Sequence, residues 1–199
     1  MKTLEIIGYK RANLGKSESK QLRASGNVPC VLYGGDSQVH FYSPMILFRE
    51  LVYTGEAHFV NLNIEGDEYR AILQDIQFHP VSETIMHADF LQLFDGKPVE
   101  MDVPVHTTGR APGVDKGGTF ILKRRYLRIK SLPKNMPEHI TVDISELDFH
   151  RALKVSDLTA EDYTILDPKQ ASICNVEVPR ALRGKSKDEL DAIGEEEEE

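Results

Sequence analysis

Apolar and polar residues alternate with a period of two along most of this chain, which predicts many strands and few helices. In the first half the alternation marks strands over residues 3–9, 30–33, 39–42, 59–64, 69–78 and 84–94, with Gly35-Asp36 and Gly66-Asp67 as turns. After Asp95-Gly96-Lys97-Pro98 a second series covers 99–107, 119–129, 140–144, 163–166 and 172–177. That tetrapeptide is the best linker in the sequence. The pattern therefore predicts a mainly β protein of two domains, 1–94 and 95–185, each long enough for a small core. Three helices punctuate it. Ser43 reads as an N-cap and Pro44 as a first-turn residue before Met45, Ile46, Phe48, Leu51 and Val52, with Gly55 as the stop. Residues 17–24 form a second helix ended by Gly26, with Arg23 in its last turn, and 187–193 a short, highly charged third.

Charge changes the picture once it is divided by region. The 199 residues carry a net −8, which taken whole argues against nucleic acid as a partner. Residues 186–199 alone carry −7, while 1–94 carry −3 and 95–185 carry +2. The acidic tail, closing in five glutamates, has no apolar surface to offset chain entropy and is expected to be disordered. No apolar run reaches the roughly 20 residues that span a bilayer, so no membrane role is expected. The opening Met-Lys-Thr-Leu-Glu carries no cleavage signature, and Cys30 and Cys174 stand apart. A cytoplasmic chain with reduced thiols and no cofactor follows as the expectation.

Two constellations carry candidate chemistry. Lys10, Arg11, Lys16, Lys20 and Arg23 place five cations within 14 residues, interrupted only by Glu18 and spaced by Asn13, Gly15, Ser17 and Ser19. Cations among small hydroxyls and exposed amides suit a phosphate backbone, although basic loops are also common on ordinary surfaces. In the second constellation, strand alternation sets Asp75, Gln77 and His79 on one face, with Ile76 and Phe78 on the other. It likewise separates His87 and Asp89 from Met86, Ala88 and Phe90. A hairpin through 80–83 merges the polar faces into a patch of amide, imidazole and carboxylate, the groups that read base edges. The competing explanation is the solvated side of an antiparallel sheet.

Other chemistry is weaker. His87-x-Asp89 with a distant histidine (His79, His106, His139 or His150) is the minimum for a non-haem iron oxygenase, but the spacing is common on strands. Nucleophile elbow, P-loop and dinucleotide fingerprints are absent, and Cys30 lies in an apolar run as a structural cysteine does. A basic window runs from Lys116 to Lys134 through Lys123, Arg124, Arg125, Arg128 and Lys130, with no acid in it. It reads equally as a contact surface or a solvated strand. Within it Leu127 and Ile129 face inward, Lys123 and Arg125 share their side, and Tyr126, Arg128 and Lys130 face out.

Residues 15–34, Gly-Lys-Ser-Glu-Ser-Lys-Gln-Leu-Arg-Ala-Ser-Gly-Asn-Val-Pro-Cys-Val-Leu-Tyr-Gly, resemble the start of the bacterial large-subunit ribosomal proteins that bind 5S rRNA, in the long form also called general stress protein CTC. Asp75-Ile76-Gln77-Phe78-His79-Pro80-Val81, His87-Ala88-Asp89-Phe90, Val99 to Val105, Gly117-Gly118 and Leu132 to Glu138 resemble the same family in the same order. The resemblance covers residues 3 to about 183. It implies an N-terminal small β-barrel with one or two short helices, followed by a second mainly β domain. It implies an RNA-binding structural protein with no enzymatic turnover, gripping the loop E region of 5S rRNA through the minor groove. By position, Arg11, Lys16, Ser19, Lys20 and Arg23 engage phosphate and sugar, while Tyr33, Gln77, His79, His87 and Asp89 line the more specific surface. The implied partners are 5S rRNA, large-subunit rRNA and neighbouring ribosomal proteins, with a monomer off the ribosome. A stress-linked interaction protein working off the ribosome is the alternative. Glu18 stands where the family often has a small residue, Cys30 where alanine or glycine is usual, and Phe78 where a cation can occur.

Overall fold

A computed structural model describes residues 1–179 apart from 36, 150 and 159–161. The predicted 187–193 helix and the acidic tail lie outside the described residues. The chain divides into two compact units, Met1–Met101 with Lys130–Glu138 and Asp102–Ile129 with His139–Glu199. The division thus falls later than the 95–98 linker, and segment 130–138 counts with the first unit. There the carboxylate of Glu138 lies 2.8 Å from the Met1 amine.

The first unit is a closed six-stranded barrel. Its strands are β1 (Thr3–Lys10), β2 (Asn27–Tyr33), β3 (Val39–Pro44), β4 (Phe59–Ile64), β5 (Asp67–Phe78) and β6 (Ile85–Gln92), in the order β1-β3-β2-β6-β5-β4. β1 pairs parallel with β4, and β2 parallel with β6; the other pairs are antiparallel. Inward-facing residues of the strands, among them Ile6, Cys30, Leu32, Phe41, Leu62, Ile64, Ala88 and Phe90, fill one core. The Phe90 ring packs against Phe41 and Phe48 at centroid distances of 5.9 and 6.3 Å. Helix α1 (Lys16–Ala24) is the predicted one, and Gly26, at φ 77°, ends it as expected. Glu65 and Gly66, both at positive φ, form the tight turn from β4 to β5, one residue earlier than the sequence suggests.

Three expectations need correction in this unit. Ser43 does not cap a helix: β3 runs through Pro44, and the buried Ser43 hydroxyl donates to the Ile7 carbonyl at 2.7 Å. The helical segment begins as a 3₁₀ turn (Met45–Phe48) and continues as α2 (Arg49–Tyr53). Phe78 does not share the interior with Ile76 but is 42% exposed, and Ile85 is buried instead. A bulge at Gln77/Phe78 resets the alternation there.

Beyond the barrel β7 (Val99–Thr108) pairs with β9 (Tyr126–Ser131) and, in parallel, with β10 (Ile140–Asp143). That sheet has the order β10-β7-β9-β12, with β12 at Thr164–Ile165. A second sheet, β11-β13-β8, joins Ala152–Lys154, Ser172–Glu177 and Thr119–Leu122 around Cys174, Val176, Leu147 and Ala111. The predicted 119–129 strand is therefore two strands in different sheets. The amides of Lys123 and Arg124 both donate to the Ile173 carbonyl, and that kink ends β8. It also cancels the alignment of Lys123 and Arg125 with the buried Leu127 and Ile129. Strand β11 and the one-turn helix α3 (Pro112–Asp115) are additions that the alternation does not reveal.

Candidate nucleic-acid interface

The loop after β1 and helix α1 present the cations. The Arg11 amide donates to the His40 carbonyl at 3.0 Å, and its guanidinium Nη2 donates to Ser19 Oγ at 3.0 Å. Ser19 in turn donates to the Gly15 carbonyl at 2.8 Å, so its hydroxyl holds Arg11 against the start of the helix. From the last turn, Arg23 Nη1 donates to the Met86 carbonyl on β6 at 3.3 Å. Lys16 and Lys20 are exposed and make no ion pair among the described residues. Glu18 is half-buried rather than projecting into solvent, with Oε2 buried and unpartnered.

Strand register supplies the second half. Gln77 lies opposite His87 and Asp75 opposite Asp89; on the other side Asp89 neighbours Val31, and Val31 neighbours His40. Inward neighbours Cys30, Leu32, Ala88 and Phe90 are buried, so this row looks outward. His87 Nδ1 sits 2.6 Å from Asp89 Oδ1 without hydrogen-bond alignment, leaving that buried oxygen without a donor. Tyr33 joins the group from β2. Partial burial raises its phenol above the ordinary value, and the charges of Asp89 and Asp75 push it further the same way. His79 is placed differently: its Nδ1 accepts from the Val81 and Ser82 amides at 3.3 and 3.2 Å. It holds the β5–β6 turn.

The structure thus brings together Tyr33, Gln77, His87 and Asp89, with Arg23 anchored beside His87 and Arg11 along the same row. Asp75, set on one face with Gln77 by the sequence, belongs to this surface too, and so does His40, which only strand pairing reveals. Among the described residues no three His, Cys, Asp or Glu side chains gather as metal ligands, and His150, one of the histidines open to the oxygenase alternative, lies outside them. His106 and His139 instead stack on each other in the second unit at 4.7 Å. The basic window is largely neutralised. Lys116 pairs with Asp148, Arg124 with Asp167, Arg128 with Asp102 and Lys130 with Glu100.

Comparison with known proteins bears on both units. The model of the ribosomal L25p family matches residues 6–90, and that of the ribosomal protein TL5 C-terminal domain matches 98–180. Large ribosomal subunit proteins bL25 of Cytophaga hutchinsonii and Amoebophilus asiaticus are 51% and 55% identical over 183 residues. Those alignments cover 92% of this chain and 95% and 93% of the relatives. The chain belongs to the ribosomal L25p family. A further relative, bL25 of Porphyromonas gingivalis, is 42% identical over 186 residues, covering 92% of this chain and 97% of its own. The L25p match lies wholly in the barrel unit and contains every candidate residue named above on the barrel face. The family is one of ribosomal structural proteins rather than enzymes. No helix among the described residues is long and apolar enough to cross a membrane.

Proposed function

We propose that this chain is a structural component of the large ribosomal subunit and binds 5S rRNA in the loop E region through the barrel face, within residues 1–94. The observation that carries the reading is the meeting of Tyr33, Gln77, His87 and Asp89 on one outward sheet face with Arg11 and Arg23 fixed alongside. A-form RNA offers base edges and 2′-hydroxyls in a wide, shallow minor groove, which a sheet face fits where a helix does not. Carboxylates on that face accept from base amino groups and ribose hydroxyls. Lys16, Lys20 and the guanidinium groups supply the phosphate contacts that set position and affinity. The work is binding without turnover; it needs no cofactor, and the protein is a cytoplasmic monomer when off the ribosome. Its other partners are large-subunit rRNA and neighbouring ribosomal proteins.

Gel-shift titration with 5S rRNA tests this. Arg23→Ala and His87→Ala should each weaken binding several-fold, and binding should fall as salt rises, since neutralised phosphates release counterions. Unchanged affinity in both variants would remove this face from the interface. A sucrose gradient of cell extract should place most of the protein in the 50S fraction; a pool mainly elsewhere would favour the off-ribosome alternative.

A further inference from the structure

We propose that the RNA-facing surface extends one strand further round the barrel, onto β3, where the His40 imidazole donates a hydrogen bond to a phosphate or ribose oxygen. This deepens the reading of the barrel face as an RNA surface and rests on it. The register sets Asp75, Asp89, Val31 and His40 side by side across β5, β6, β2 and β3. The Arg11 amide, bonded to the His40 carbonyl, continues the row beyond β3. Phe41 is fully buried, so His40 before it points out of the barrel. The imidazole is half-buried and has no side-chain partner among the described residues.

Its surroundings point to a ligand. On one side of His40 stands Arg11, held by Ser19 through Nη2 and with its Nε buried and unpartnered; on the other, beyond Val31, stands Asp89, whose Oδ1 lies 2.6 Å from His87 Nδ1. A ligand with phosphates and ribose hydroxyls suits a row that carries a guanidinium, an imidazole and a carboxylate. Cys30 beneath the row registers the two charges. Burial raises its thiol most, the Asp89 carboxylate raises it further and the Arg11 guanidinium lowers it, so both groups close over the same strand. Beyond His40 on β3, Tyr42 stacks on Tyr9 at 5.4 Å. That leaves His40 the outward nitrogen donor of this strand.

The full-length protein is titrated into labelled 5S rRNA at fixed salt. His40→Ala should weaken binding about five-fold, the loss of roughly one hydrogen bond. His40→Glu should weaken it more, and His40→Arg should restore wild-type affinity, with thermal melting unchanged in all three. If His40→Glu binds like wild type while Lys20→Ala binds weakly, the His40 contact is refuted and the wider RNA reading stands. If His40→Arg stays as weak as His40→Ala, the effect is structural and the proposal falls. Failure of the wild-type chain to bind 5S rRNA overturns both.

Discussion

At the scale of single residues, the barrel's inner face sets clear limits on chemistry. Cys30 is 1% exposed; burial holds its thiol well above the usual range, and the negative charge of Asp89 adds to the effect. Because the thiolate is the reactive form, native Cys30 should be inert. Cys174 is fully buried and raised for the same reason. A thiol-disulfide reagent at about pH 8 should find no fast-reacting thiol in the native protein, and both after guanidinium unfolding. The sign of the linkage follows. A thiol raised on folding contributes stability fully present below the unfolded value near 8.5, and that stability is lost as pH rises above it. Denaturant midpoints should therefore fall between about pH 8.5 and 10, and Cys30→Ala should flatten that fall. Gly8 sets another limit. A Cβ there would lie 2.6 Å from Phe41 Cδ2, and Phe41 is locked against Phe90. Gly8→Ala should cost about 1–3 kcal/mol in denaturant unfolding.

At the scale of elements, what was legible in the sequence separates cleanly from what was not. Strands β4 and β13 match their predicted residues. Helix α1 was legible from its basic last turn and Gly26. Ser43 was misread because a hydroxyl satisfies a helix amide or a strand carbonyl equally well, and local sequence does not choose. Phe78 and the 119–129 run were misread because one bulge or kink reverses the inward set for every later residue. The candidate residues were visible one strand at a time, but His40 joins the site only through pairing with distant strands. The basic window shows the same lesson for charge: its acids come from Asp102, Asp148, Asp167 and Glu100, all outside the window. Since Arg128 makes a two-toothed bond to Asp102, Arg128→Ala should change 5S rRNA affinity less than two-fold. Lys20→Ala should weaken it several-fold and reduce the salt slope by roughly 0.9. Parallel salt titrations of the two variants decide the point.

At the scale of the whole molecule, the net charge and the RNA surface stand in tension. Of the −8 total, −7 belongs to residues 186–199, leaving −1 on the rest. Neither family match reaches this segment, since the second ends at 180. Its charge nevertheless acts on any polyanion approaching the chain, because electrostatic attraction or repulsion sums over the molecule within the screening length. That length is about 10 Å at 0.1 M salt and about 3 Å at 1 M, so the repulsion is a low-salt effect. The proposed contacts of Lys16, Lys20 and Arg23 act at hydrogen-bond range and do not depend on the tail. A chain ending at Lys185 should therefore bind 5S rRNA several-fold tighter than the full chain at about 50 mM salt, mainly through faster association. The two should converge as salt approaches about 1 M. Stopped-flow association at a series of salt concentrations reads this directly. Equal rates at low salt would mean that the tail's charge does not reach the RNA, and that the cations near the barrel face set the encounter unaided.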